Sequence, residues 1–324
     1  MLRLFLYRFI NTFKEPYKNG RYNKLNEFIS NKDLIDFIML KKKFQSLWRS
    51  KLNTIVHKNN YTLKKLKIIK TDNYVMLLSK FHHSFSFIDS SVEHTCKEEI
   101  EYLFIIKDMK ILYMCNKEES PIEYDSLARN FPSEKDILIR LKNNLPIQLW
   151  YKNVRDINLF YEKFLDNTLD INRDNNVQSN FSLDKKKMIE YAQQYALIPN
   201  KAYKNFDSDG GDCTNFISQC LHFGGLPLSL TWKPYTTTWI RVNELYYFLL
   251  ENGFRKTSSS LHTQPAAIIQ FHSIKKGFFS HSGIITETFP DGNCLYCCHS
   301  FNKLNYPLSE VYPLIYDKIR IINI

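Results

Sequence analysis

The apolar residues in the first part of the chain change from helical to strand-like spacing. In residues 1–13 the large apolar side chains fall on one helical face, namely Leu2, Phe5, Phe9 and Phe13. The same spacing predicts a long helix from Leu34 to His57. From Tyr61 onwards, apolar runs bounded by turn residues predict short strands at residues 67–70, 74–78, 83–87, 100–106 and 111–114. A helix followed by such a meander predicts a small α+β domain over residues 1–165.

A second domain is predicted after a polar stretch. Residues 166–182 are rich in Asn and Asp, which is typical of a linker. Beyond it the helical spacing returns, with helices predicted after Asp184, after Asp212 and from Trp239 to Leu250. Strand-like runs come last, at residues 267–271, 282–286 and 295–300. Residues 183–324 are therefore predicted to form an α+β domain in which helices are followed by an antiparallel sheet.

The segment Gly210-Gly211-Asp212-Cys213 places a cysteine where a turn becomes a helix. Asp212 is predicted as the N-cap, which puts Cys213 in the first helical turn. Unpaired backbone N–H groups and the helix dipole stabilise a thiolate there and lower its pKa, and the same N–H groups stabilise an oxyanion. Asp212 and Thr214 are therefore predicted to support a nucleophilic Cys213. The alternative interpretation of Cys213 is a small buried filler.

A cysteine nucleophile needs an imidazole within hydrogen-bond reach. His222 lies more than two turns along the helix of Cys213, which is too far to reach back. His262 and His272 are predicted to be solvated. His281 opens the strand at residues 282–286 between small residues that leave room for its ring, so His281 is the predicted base.

The hairpin after His281 restricts the choice of a third residue that orients its ring. The turn at residues 289–292, Phe-Pro-Asp-Gly, fits a type I turn with a glycine bulge, which pairs residue 289 with 293. His299 then shares the sheet face of His281, offset diagonally by two residues. A two-residue Asp-Gly turn instead favours Asn302. The proline fits the first turn better, so His299 is preferred.

Composition and charge narrow the function classes. With 324 residues and 44% hydrophobic content, the chain is long enough for two cores. The net charge is +11, with most of the excess before residue 181, but no Lys/Arg run is interleaved with aromatic residues, so no nucleic-acid binding is expected.

The odd number of cysteines, seven, predicts free thiols. The cysteines at 294, 297 and 298 with His299 lack the spacing of a metal site, so neither a metal nor another cofactor is predicted.

Residues 1–13 raise the question of targeting. Arg3, Arg8 and the missing small-residue cleavage site argue against a signal peptide, and no apolar stretch approaches the roughly twenty residues that span a bilayer. The amphipathic helix is expected to dock on a protein or, second, on a membrane surface. A cytoplasmic location is the default expectation, with export by a non-standard route as the alternative, and the sequence predicts no oligomeric state.

Several segments of the second domain resemble a known family. They are residues 191–200, the stretch Gly210 to Leu221, Trp239 with residues 242–246, residues 268–271 and Ser280 to Thr286. Together they resemble the putative amidase domain family of bacterial proteins, which is similar to the NlpC/P60 and CHAP groups of papain-like cysteine peptidases and amidases. The resemblance covers about residues 183 to 320. It departs from the family pattern at Ala266-Ala267, where the family often has Gly-Asp.

The resemblance implies a papain-like fold, Cys213 as nucleophile, His281 as base and His299 as the orienting residue. The expected reaction is hydrolysis of an amide bond through a thioester, on a cell-wall peptide or a small amide. Trp232 and Trp239 are candidates to line the cleft, although aromatic residues at such spacing are more often buried in the core. The competing functions are a catalytically silent module attached by the basic first domain and an acyl or amine transferase.

Overall fold

The computed structural model describes residues 1–15, 17, 22–130, 132–145, 147–166, 181–257 and 263–324. The chain divides into two compact units, residues 1–86 with 99–161 and residues 87–98 with 162–324. Most of the predicted linker at 166–182, together with His262, lies outside the described residues. Residues 87–98, which the sequence placed in the first domain, group with the second unit.

The first unit combines helices with a run of neighbouring strands. Its elements, including strand ends and the end of α7 that belong to the second unit, are α1 (Leu2–Phe13), α2 (Tyr22–Asn26), α3 (Lys32–Lys51), β1 (Ile55–Lys70), β2 (Val75–Asp89), β3 (Val92–Lys107), β4 (Lys110–Asn116), α4 (Pro121–Asn130), α5 (Glu134–Asn144), α6 (Ile147–Arg155) and α7 (Ile157–Asp166). The strands are hydrogen-bonded in the order β1-β2-β3-β4. Two of the predicted short strands are one continuous β2, because the alternation of buried and partly buried residues continues through residues 79–82.

The apolar face of α1 contributes to the core of the first unit. Phe9 is fully buried, and its ring lies 5.8 Å from the rings of Phe28 and Phe104. Leu2, Phe5 and Phe13 pack against the same core. The face that the sequence assigned to docking on a partner is therefore used inside the unit. Within the described ranges, no helix has the length and apolarity needed to cross a membrane.

The second unit begins with helices and ends with an antiparallel sheet, as predicted. Its elements are α8 (Lys185–Tyr195), α9 (Cys213–Phe223), α10 (Thr237–Ile240), α11 (Val242–Glu251), β5 (Arg255–Thr257), β6 (Ile268–Ser273), β7 (Phe278–Thr288), β8 (Cys294–Cys298), β9 (Lys303–Pro307) and β10 (Lys318–Asn323). The strand order is β9-β8-β7-β6-β10-β5. The mixed α+β class predicted from the sequence is confirmed.

The helices of the second unit differ in detail from the prediction. Asp184 caps α8 as expected, because its carboxylate accepts a hydrogen bond from the backbone N–H of Lys187 at 3.0 Å. The single helix predicted from Trp239 to Leu250 is divided into α10 and α11 at Arg241, whose backbone is extended.

One face of the sheet packs against α9 and so fixes the start of that helix. Ile268 pairs with Ile284 across β6 and β7, and both share a buried cluster with Phe216 and Ile217 of α9. Ser282 lies two residues before Ile284 and faces the same helix, since side chains alternate along a strand. Its hydroxyl lies 3.5 Å from the Thr214 hydroxyl. The first turn of α9 is therefore held against the middle of β7.

Candidate active site

Cys213 is the first residue of α9, and two left-handed glycines precede it. Gly210 has φ +113° and Gly211 has φ +122°, values that L side chains rarely adopt. A Cβ on Gly211 would also lie 3.3 Å from Ser300 Oγ. The glycine pair therefore lets the chain turn sharply into the helix while passing close to the end of β8.

Asp212 occupies the N-cap position, but its side chain makes no capping hydrogen bond, contrary to the prediction. Its Oδ1 accepts hydrogen bonds from the Phe206 backbone N–H at 2.9 Å and from Asn215 Nδ2 at 2.8 Å. Its Oδ2 lies 2.6 Å from His299 Nδ1. The carboxylate is directed to these partners, so Asp212 supports the helix start through a buried polar network.

His299 belongs to this network and does not orient His281, so the preferred sequence prediction is wrong here. Its Nδ1 bonds to Asp212, and its Nε2 lies 2.8 Å from the carbonyl oxygen of Tyr195. The Tyr195 carbonyl is an acceptor, so Nε2 donates to it, and Nδ1 shares a hydrogen with the Asp212 carboxyl group. The ring also stacks on Phe216 of α9 at 4.1 Å. His299 and Asp212 therefore form a hydrogen-bonded pair whose side chains are both only 1% exposed.

A β-bulge explains why the predicted register failed. The turn pairs residue 289 with 293 as predicted, because the Phe289 N–H bonds to the Asn293 carbonyl at 2.9 Å. The register then shifts between Ile285 and Glu287, so that Ile284 faces Cys297. A shift of one residue moves side chains to the other face of a strand. His299 consequently faces α9 and not His281.

His281 is buried among aromatic rings. It is 3% exposed, and the centroids of the Phe271, Phe301 and Tyr316 rings lie 5.6, 5.7 and 6.0 Å from its own. Its Nε2 has no hydrogen-bond partner within the described part of the chain, so neither His299 nor the alternative Asn302 holds that nitrogen. Burial, and after it the positive charges of Lys303 and Lys276, lower the pKa of His281 to about 3. The ring is therefore a neutral imidazole at physiological pH.

Cys213 lies beside Ser282, the residue that follows His281 in β7. Cys213 is 7% exposed, and its thiol lies 3.8 Å from Thr214 Oγ1 and near the backbone N–H groups of Ser282 and Thr214, which lower its pKa by hydrogen bonding. Burial raises the pKa of Cys213, and the nearby Asp212 charge also raises it, more than these hydrogen bonds lower it. The expected lowered pKa is therefore wrong, and the resting state is a thiol. Among the described residues, no hydrogen bond joins the Cys213 thiol to the His281 ring.

Trp232 and Trp239 do not line a cleft, because both are fully buried. Their rings lie 4.7 Å apart in the core beside α9. Trp239 Nε1 donates a hydrogen bond at 2.8 Å to Asn215 Oδ1, and Asn215 in turn donates to Asp212. Trp239 thus supports the start of α9 from inside.

Sequence reasoning missed Asn215 and Ser300 as parts of the site. Asn215 lies one turn after Asp212 and shares a buried polar helix face with Ser218 and Gln219, and buried polar residues require hydrogen-bond partners. Ser300 Oγ accepts a hydrogen bond from the Asp212 N–H and donates one to Asp207 Oδ1 at 2.7 Å. Within the ranges given above, no group of three or more His, Cys, Asp or Glu residues is placed to hold a metal.

The burial of His281 predicts a pH dependence of stability. The unfolded chain binds a proton at His281 near pH 6.5, whereas the folded protein does so only near pH 3. The stability from this neutral ring is complete above pH 6.5 and is lost as the pH falls toward 3. Between pH 6.5 and 4.5, wild type is expected to lose about 2 kcal/mol more free energy of unfolding than His281→Gln in urea titrations. Equal pH slopes would mean that the folded ring protonates as easily as the unfolded one.

Comparisons with known proteins agree with a hydrolase. Residues 182–322 match the family described as "Putative amidase domain". The uncharacterized protein YjcM of Bacillus subtilis (strain 168) is 32% identical over 134 residues, 38% of this chain and 32% of that protein. The uncharacterized protein YhbB of the same organism is 30% identical over 119 residues, 32% of this chain and 37% of that protein.

The matches concern one part of each protein. The chain spans about a third of the length of the curated relatives it matches. No solved structure matches the chain. An amidase domain indicates hydrolysis of an amide bond, and the first unit has no counterpart in the family match.

Proposed function

We propose that the second unit hydrolyses an amide bond through a thioester formed on Cys213. The observation that carries this proposal is the position of the Cys213 thiol, at a helix start and against the backbone of Ser282, the residue that follows neutral His281. Since side chains alternate along β7, the His281 ring must turn past the backbone at Ser282 to reach the thiol. Helix starts supply N–H groups for an oxyanion, and a neutral imidazole is the form that accepts a proton. The proposal assigns to this site the chemistry of the papain-like cysteine hydrolases of the NlpC/P60 kind, which the sequence segments resemble.

The first half-reaction forms the thioester. His281 accepts the thiol proton while Cys213 Sγ attacks the carbonyl carbon, and the negative charge moves to the carbonyl oxygen. N–H groups at the start of α9, beginning with that of Thr214, stabilise this oxyanion. The imidazolium then gives its proton to the nitrogen, the C–N bond breaks and the amine leaves.

The second half-reaction consumes water. Neutral His281 accepts a proton from water as the water oxygen attacks the thioester carbon, and the C–S bond breaks. The carboxylic acid leaves and the Cys213 thiol is restored. In this scheme Asp212 and His299 hold the helix start, while the ring of His281 is oriented by its aromatic neighbours.

The thioester permits either hydrolysis or transfer to another amine, and oxygen labelling separates the two. Cell-wall stem peptides and N-acetyl dipeptide amides would be incubated in H₂¹⁸O with and without glycinamide. Hydrolysis predicts one ¹⁸O in each carboxylic acid product, an equal amount of free amine and no dependence on glycinamide. His281→Ala should lose this activity. A glycinamide adduct would identify a transferase, and no turnover of any compound would favour a binding module.

A further inference from the structure

The turn between β8 and β9, residues 299–302, is strained. It contains two non-glycine residues with left-handed backbones, Ser300 with φ 59° and Phe301 with φ 133°. A phenylalanine rarely adopts such a φ, because its Cβ collides with the backbone. This conformation persists only where the surroundings hold it, and such residues are concentrated at functional sites and switches.

Hydrogen bonds hold one side of this turn to the start of α9. His299 is fixed by Asp212 and the Tyr195 carbonyl, and Ser300 accepts the N–H of Asp212. Ser300 also donates a hydrogen bond to Asp207. The β8–β9 turn is therefore tied to the residue that directly precedes the nucleophile.

The other side of the turn covers His281. The Phe301 ring meets the imidazole at 62°, in an edge contact. Of the three rings around His281, Phe271 is fully buried and Tyr316 is 5% exposed, whereas Phe301 is only partly buried. Phe301 is thus the most exposed of the three rings that contact the imidazole.

With the turn in this position, one ring nitrogen of His281 lacks a hydrogen bond to the described residues. Its Nε2 is buried without a hydrogen-bond partner in the described structure, which is unfavourable for a polar atom. Movement of the turn would give this nitrogen access to water or substrate and would release the strained backbone at Phe301. Both changes favour opening, while the bonds of His299 and Ser300 favour the closed form.

We propose that the β8–β9 turn is a cover that holds the site closed, with Phe301 shielding His281 and Ser300 acting as the tether that must release before substrate and water enter. This inference rests on the proposed function for its purpose. The shielding itself is independent of any activity.

Carbethoxylation of histidine by diethyl pyrocarbonate tests the cover, with His281 followed by peptide mass spectrometry. Phe301→Gly removes the ring and accepts the local φ, so it should fold and react at His281 at least about tenfold faster than wild type. Ser300→Ala keeps the ring but removes the tether, and it should also react faster. Phe289→Ala is the matched control, because Phe289 is another partly buried turn phenylalanine, 5.2 Å from a different histidine, His94. It should leave the His281 rate unchanged.

Each outcome decides one part of the proposal. A wild-type rate in Phe301→Gly would overturn the shielding role, and a wild-type rate in Ser300→Ala would overturn the tether. Phe301→Gly should also melt at a higher temperature than Phe301→Ala, because only glycine relieves the strain; the reverse order would show that no strain is stored. Faster reaction at His281 without any amide hydrolysis would count against the proposed function and leave the cover intact.

Discussion

Replacing Cys213 with alanine is expected to reduce kcat/KM for amide hydrolysis at least about 1000-fold, because the thioester has no other atom on which to form. The fold should survive, since the change removes one buried sulfur atom at the first residue of α9. Released amine would be measured by a fluorogenic reagent, with circular dichroism to verify folding. Activity near the wild-type level would exclude Cys213 as the nucleophile.

Cys220→Ala is the matched control for this prediction. Cys220 lies on the same helix and is fully buried, and burial raises its pKa well above the usual value for a thiol. It sits about two turns further along, away from the N–H groups of the helix start. Its replacement should leave the rate of hydrolysis nearly unchanged. Equal losses of activity in the two variants would indicate that both changes disturb the structure of α9, and not that Cys213 is the nucleophile.

His299→Gln is expected to lower the free energy of unfolding by about 3–5 kcal/mol, because it removes one partner of a buried histidine–carboxylate pair and leaves the Asp212 side chain without that partner. The Tyr195 carbonyl would also lose the donor at 2.8 Å, and Phe216 its stacking partner. Urea denaturation at neutral pH measures the loss.

His272→Gln provides the comparison for His299. His272 Nδ1 lies 2.7 Å from Asp317 Oδ1, much like the buried pair, but these side chains are 16% and 25% exposed. Solvent screens this pair, so its loss should cost about 1 kcal/mol or less. A similar small loss in both variants would show that the Asp212–His299 pair contributes little to stability.

Local sequence patterns predicted the elements around the site. Asp184 capped its helix, the glycines before Cys213 began another, and the turn at residues 289–293 had the predicted pairing. These features depend on a few neighbouring residues, whose backbone preferences and hydrogen bonds decide the local conformation. The helix start that carries the candidate nucleophile could therefore be predicted from the sequence.

The contacts between residues that are distant along the chain could not be predicted from local sequence patterns. The bulge after Ile285 carries no distinctive turn residue, yet it moved His299 from one face of the sheet to the other. Asp212 was taken as a cap because its sequence position fits one, but its partners Phe206 and His299 come from a preceding loop and a distant strand end. The pKa of Cys213 depends on burial, which the helix-start argument leaves out.

The position of Trp239 could not be predicted for a different reason. An aromatic residue close to a nucleophile suits either a cleft or a core, and hydropathy alone does not separate the two. Its indole N–H bonds to Asn215, which holds Asp212, so its effect on the site is indirect. The candidate site is consequently supported from inside by residues that never touch the reacting atoms.

Acid-quenched mass spectrometry during turnover is the decisive experiment for a thioester on Cys213. A covalent adduct with the mass of the acyl group is expected, mapped to the peptide containing Cys213 and removed by hydroxylamine as a thioester is. Turnover with the acyl group on another residue, or with no covalent adduct under conditions that trap thioesters, would contradict it.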